Sequence, residues 1–269
     1  MNPASSLSDA YTVARRNLIK IKRVPDLLVF TTMSPIMFIL LFAYVFGGAI
    51  DPAGGGAGYR EFLIAGIFAQ TVVFGATITG AGLAEDVKKG IIDRFRSLPM
   101  SPSAVLAGRT LSDVLNNVIV LVVMSLTGLL VGWRIRGSAL DALWAYVLLL
   151  VFAYAISWIM AWIGMLVPSP EVVNNASFIV IFPLTFVANT FVPLSTLPGP
   201  LRFFAEWNPV SAVTAAARDL FGNADPLPGP ASTAWSLQHP ELYTLLWSAV
   251  ILVIFIPVAT AQYRRATSR

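Results

Sequence analysis

The sequence predicts an all-α membrane protein of six transmembrane helices, and three observations carry that reading. The chain of 269 residues is 57% hydrophobic with a mean hydropathy of +0.74, and only 12% of its residues are charged. Soluble domains average about 45–50% apolar residues, so ordinary core burial does not require this composition. Six mostly apolar runs lie near 27–47, 63–84, 112–132, 142–167, 172–194 and 243–262, each close to the roughly 20 residues a helix needs to cross the hydrocarbon core. Membrane strands would read as segments of about 10 alternating residues, which VLNNVIVLVVMSLTGLLV does not resemble. The third observation is charge. Thirteen of the eighteen basic residues fall on one side of the six runs: five between Arg15 and Arg23, five between Lys88 and Arg109, then Arg264, Arg265 and Arg269. The positive-inside bias therefore sets both termini in the cytoplasm. Arg60, Arg134, Arg136, Arg202 and Arg218 lie opposite. The net charge of +4 then follows from topology, and nucleic-acid binding is not expected.

Ahead of the first run, Leu7, Ala10, Tyr11, Ala14, Leu18 and Ile21 share one helical face, with Arg16, Lys20 and Arg23 opposite and Arg15 beside them. Apolar anchors and a basic face together suit a helix at 6–24 lying on the inner leaflet. A solvated basic leader is the simpler alternative. The full-length apolar run that follows is not the short core of a cleavable signal.

The second run leads into EDVKKGIIDRFRSLPMSP, residues 85–102, whose first twelve positions hold seven charges. Val87, Ile91, Phe95 and Leu98 make a narrow apolar stripe at helical spacing, and Glu85 can pair with Lys89. Pro99 stops this helix, and Ser101-Pro102 starts the lead-in to the third run. A stripe on so charged a helix implies a surface on which another protein presses. VPSPE at 167–171 is a tight turn, with Ser169-Pro170 as cap and first helical residue.

Between the fifth and sixth runs, residues 195–242 contain LRFFAEW, with Arg202 and Glu206 one turn apart, and an alanine-rich helix from Asn208-Pro209 to Gly222. Their aromatic content suits a pair dipping into the interface; a small soluble cap is the alternative.

Catalytic material is sparse. GGGAG at 54–58 lacks the Lys-Ser/Thr of a phosphate loop, His239 is the lone histidine with no ligand at metal spacing, and there is no cysteine. Ionisable residues reach only the edges of the runs, at Asp26, Arg109 and Asp113, which argues against an ion-coupled carrier. Gly75, Gly80 and Gly82 permit close helix packing, within one chain or between two. Gln70, Thr71, Asn116, Asn117, Asn174, Asn175 and Asn189 are the polar candidates for a substrate path, with helix-to-helix hydrogen bonding as their other role.

These features together resemble the permease subunit of type-2 ABC exporters, in the daunorubicin-resistance, DrrB-like branch. The similarity rests on an acidic-x(3)-K-G-x(3)-R-x(4)-P stretch, here Glu85 or Asp86 through Gly90 and Arg94 to Pro99. It rests also on a PL-x-F…F-x-P-x(3)-LP…NP run, here Pro183 to Pro209. The resemblance implies one transmembrane domain over 1–269 in the bacterial cytoplasmic membrane. A coupling helix at 85–98 (Glu85, Asp86, Val87, Gly90, Ile91, Arg94, Phe95, Leu98, Pro99) would dock into a separate ABC ATPase dimer. Re-entrant helices on the outer side and a second permease copy or homologue are implied as well, as is export of an amphiphilic drug, lipid or glycoconjugate. No cofactor is expected in this chain; ATP and Mg belong to the partner. A permease for lipid-linked polysaccharide, or a non-transporting scaffold, are the competing functions.

Overall fold

The computed structural model describes residues 25–47, 56–91, 102–223 and 232–266. The interfacial helix expected at 6–24, with Tyr11, Arg15, Arg16, Leu18, Lys20 and Arg23, lies outside them, as do Arg94, Phe95, Leu98 and Pro99. The described elements are helices: α1 (Pro25–Leu40), continued by a π-helical turn at Leu41–Phe46, then α2 (Ala57–Gly75) and α3 (Thr77–Lys88). Next come α4 (Pro102–Val131), α5 (Ala139–Gly164) and α6 (Pro170–Phe186), followed by a 3-10 turn at Leu194–Thr196. The chain closes with α7 (Gly199–Trp207), α8 (Pro209–Phe221), α9 (Trp235–Gln238) and α10 (Pro240–Ala266).

Each predicted apolar run coincides with helix, but the boundaries move. By length and composition α2–α3 taken together, α4, α5 and α10 suffice to cross a membrane, whereas Thr32–Phe46 and α6 are shorter apolar helices. The second run is not one straight helix. It breaks at Ala76, where the Thr77 hydroxyl donates to the Phe74 carbonyl at 2.7 Å and so competes with the backbone ladder. The fifth stops at Phe186 rather than near 194, with Pro183 inside its last turn and the Val187 N–H donating to the Pro183 carbonyl as its last helical bond. The third starts early, at Pro102 as the Ser-Pro signal indicated, and its 30 residues span about 45 Å at 1.5 Å each. That exceeds the roughly 30 Å of hydrocarbon, so one end of α4 stands clear of it.

At the centre is α5, which packs against α2, α3, α4, α6, α8 and α10. Ser138 and Asp141 form a capping box at its start, with Asp141 N–H to Ser138 Oγ at 3.1 Å. Lipid is as apolar as leucine, so helices in a bilayer associate through close backbone approach and hydrogen bonds more than through apolar burial. The seam between α3 and α5 shows this. A methyl on Gly80 would stand 2.8 Å from the Met160 carbonyl oxygen, and one on Gly164 would run into the backbone of Gly80. The glycines therefore form a seam within one chain.

α8 is the other organising element. Asn208 starts it by accepting from the Val210 N–H at 2.9 Å and ties it to α6 by donating to the Leu184 carbonyl at 2.7 Å. Gly222, at φ +71°, ends it, as the sequence indicated. Its residues are mostly buried against α2, α5 and α10. The loop after α4 holds its far end: Arg136 and Gly137 N–H donate to the Phe221 carbonyl at 2.8 and 3.0 Å, and Trp133 Nε1 donates to Asn223 Oδ1 at 2.7 Å. Arg136 also forks onto the Glu61 carboxylate at 2.6–2.9 Å, which gives this arginine a structural place. Before it, Arg202 and Glu206 pair at 3.0 Å, as their spacing predicts.

Candidate substrate cavity and coupling end

Where α2 passes into α3, the helices α1, α4 and α6 part from that junction around a cavity of about 400 Å³. Its walls follow from helical spacing. Gln70 and Phe74 lie one turn apart on α2, as do Thr71 and Gly75 beside the break, while Asn116, Asn117 and Val120 face them from α4. Ser34, Pro35 and Phe38 of α1, Thr77 and Ile78 at the start of α3, and Phe178 and Phe182 of α6 complete the lining. Four of the seven polar candidates thus share one cavity. Asn174 and Asn175 are exposed on α6 outside its lining.

Asn189, expected within the fifth span, lies in the turn beyond α6. Its N–H donates to Ser211 Oγ at 3.2 Å and its carbonyl accepts from Arg218 Nη2 at 2.9 Å. The chain leaves α6 at Phe186, and these two bonds hold Asn189 against α8.

Most hydroxyls in this bundle bond to their own helix: Ser125, Ser157, Thr185, Ser248 and Thr260 each donate to the carbonyl four residues earlier, at 2.7–2.9 Å. In the cavity wall Thr77 follows that habit, donating to the Phe74 carbonyl, but the four polar candidates do not. Among the described residues, none bonds the side chains of Gln70, Thr71, Asn116 and Asn117, although Gln70, Thr71 and Asn117 are buried. An unsatisfied buried polar group costs about 1–3 kcal/mol; no helix-to-helix hydrogen bond of these four side chains occurs among the described residues.

The aromatic residues form a strip leading away from the cavity. Phe178, Phe182, Phe186 and Phe191 are separated ring to ring by 4.9, 4.0 and 4.7 Å, and the strip continues through Phe42 and Phe46 at 4.6 and 5.0 Å. The i,i+4 spacings of Phe38, Phe42 and Phe46 and of Phe178, Phe182 and Phe186 were available in the sequence as its signal.

Toward the other end, α3 and α4 are joined by charge. Arg109 Nη1 stands 3.3 Å from Asp86 Oδ2, with its guanidinium over Gly82, and the Thr79 hydroxyl donates to Asp113. Asp113, expected at a span edge, is buried inside the bundle, because α4 begins ten residues before the apolar run does. Glu85 and Lys89 pair at 2.6 Å as predicted, and because both stand in solvent that contact shifts the lysine upward without adding much stability. One expectation is corrected. Glu85–Lys88 are the last turn of α3 rather than the start of a separate helix, and Gly90 at φ +64° breaks the helix before Ile91. Val87 and Ile91 therefore do not lie on one continuous helical stripe.

In the sequence Arg218 is one of the five basic residues expected on the outer side. It is buried, donating to the Phe62 carbonyl at 3.2 Å with its guanidinium 3.6 Å from the centre of the Phe62 ring.

The sequence pattern of the ABC-2 type transporter family matches residues 9–221. The chain belongs to that family. This ABC-2 permease is 35% identical over 261 residues to the daunorubicin resistance ABC transporter permease protein DrrB1 of Streptomyces coeruleorubidus, covering 97% of the chain and 88% of the relative. It is 23% identical over 234 residues to the probable doxorubicin resistance ABC transporter permease protein DrrC of Mycobacterium tuberculosis, covering 87% and 80%. In the permease the cavity is contributed by α1, α2, α3, α4 and α6, the aromatic strip by α6, Phe191 and the π-helical turn after α1, and the charged α3–α4 end leads into residues 89–101.

Proposed function

We propose that this permease is the membrane subunit of an ATP-driven exporter that moves an amphiphilic, drug-like or lipid-like cargo outward. The observation that carries the reading is the cavity. It sets unbonded amides and a hydroxyl beside phenylalanine rings without an ionisable group in its lining. A solute with many charges would lose hydration there with nothing in return, whereas an amphiphile keeps its apolar body against the rings. The names of the relatives support a drug among the cargoes.

In this reading the chain is one transmembrane domain with six spans and cytoplasmic termini, in the bacterial cell membrane. The interfacial helix at 6–24 rests on lipid, and α7–α8 enter the outer leaflet without crossing it. Cargo enters laterally between α1 and α6 and leaves along the phenylalanine strip. The family supports a partner ABC ATPase, which holds the ATP and Mg. Residues 85–99 receive its motion, and a second permease copy or homologue completes the pathway. Transport by vesicles holding the permease and its ATPase tests this. With a cargo series of one head group and graded apolar length, export rises with length, and Phe182→Ala lowers it several-fold. Preference for the most hydrophilic member, unchanged by Phe182→Ala, would overturn the reading.

A further inference from the structure

We infer that Gln70, Thr71, Asn116 and Asn117 form a head-group subsite that takes an uncharged, oxygen-rich group, such as a glycosyl or polyhydroxyl head, and turns away a formally charged one. This rests on the cargo reading of the cavity and narrows it to a chemical class.

Three primary amides and a hydroxyl offer both donors and acceptors to one small volume, as a head of hydroxyls, ethers and carbonyls requires. None of the four is engaged by the described residues, whereas the Thr77 hydroxyl in the same lining bonds the Phe74 carbonyl of its own chain segment. Asn117 is the most telling. It is 1% exposed, its Oδ1 accepts from nothing among the described residues, and its carboxamide lies over Gly75, where a methyl would stand 2.5 Å from that oxygen.

No ionisable group lines the subsite. Asp113, one turn below Asn117 on the same face of α4, accepts from Thr79, and Arg109 pairs with Asp86. A carboxylate or an ammonium head would therefore enter with no ionisable group in direct reach of it in the lining, at a desolvation cost that amides offset only in part.

The test is binding to the full-length permease in lipid nanodiscs, read by fluorescence. The probes share one naphthyl-alkyl body and end in a glucoside, a carboxylate, a trimethylammonium or plain hydrocarbon. The glucoside binds tightest, and Asn117→Leu weakens it about three- to ten-fold while leaving the hydrocarbon probe unchanged, as expected for the loss of one or two hydrogen bonds. Thr71→Val, nearly isosteric, does the same to a smaller degree, and serves if the Asn117 variant does not fold. Equal binding of all four heads, or equal weakening of glucoside and hydrocarbon, overturns the subsite and leaves the cargo reading standing. Binding of none of the probes overturns both.

Discussion

Arg218 shows how little a residue's type says about its place. In sequence it is one basic residue of an extramembrane loop; in the fold its guanidinium bonds the carbonyls of Phe62 and Asn189 and covers an aromatic ring. Replacement by Met removes the donors and leaves two buried carbonyls short of partners. Bonds to charged groups are worth about 1.5–3 kcal/mol each, so Arg218→Met is expected to cost about 2–4 kcal/mol. Arg218→Lys should restore less than half of that, since an ammonium lacks the planar fork. Thermal unfolding in a fixed detergent measures both, and a Lys variant as stable as the parent would remove the fork from the explanation.

At the scale of elements, two features decide how the helices work together. The first is the glycine seam. A methyl at Gly164 meets the Gly80 backbone, which cannot rotate away as a side chain can, so Gly164→Ala is expected to push α3 from α5 and cost about 1–3 kcal/mol. Gly199→Ala is the control: its methyl meets nothing within 4 Å, and unfolding should shift by no more than about 0.5 kcal/mol. The second is the segment after α3, where Gly90 turns the chain. If 85–99 seats in a partner ATPase, Phe95→Ala removes apolar contact worth about 1–3 kcal/mol, and Glu85→Lys reverses a charge at its edge. Both variants should assemble poorly or fail to stimulate ATP hydrolysis. Wild-type stimulation at wild-type expression in both would sink that assignment.

At the scale of the whole molecule, the asymmetry of thirteen basic residues against five sets the expected orientation. Reporters fused to either terminus should read as cytoplasmic, and one at Ala224 as external. Because the chain contains no cysteine, single cysteines give a second measurement. Thr233→Cys, exposed between α8 and α9, should react with an impermeant maleimide from outside intact cells, whereas Ala212→Cys, buried in α8, should not. Labelling of Thr233→Cys only after permeabilisation would reverse the topology.

Apolar run length determined from sequence alone that the chain is helical and membrane-embedded, and local capping chemistry located several of its ends. Asn208-Pro209, Gly222 and Pro102 were legible because a cap acts on its own neighbours within one turn. The same locality let Arg202 and Glu206, or Glu85 and Lys89, be paired in advance. Only the tertiary structure decided which polar groups meet. Gln70 and Thr71 reach Asn116 and Asn117 from a separate helix far along the chain, and nothing in their spacing separates them from Asn174 and Asn175, which are exposed on α6 outside the cavity. Whether a buried amide is bonded or left open depends on what the neighbouring helix presents, and that is set by packing. The burial of Arg218 and Asp113 has the same origin, since a charge enters a bundle where carbonyls and hydroxyls from distant segments converge to hold it.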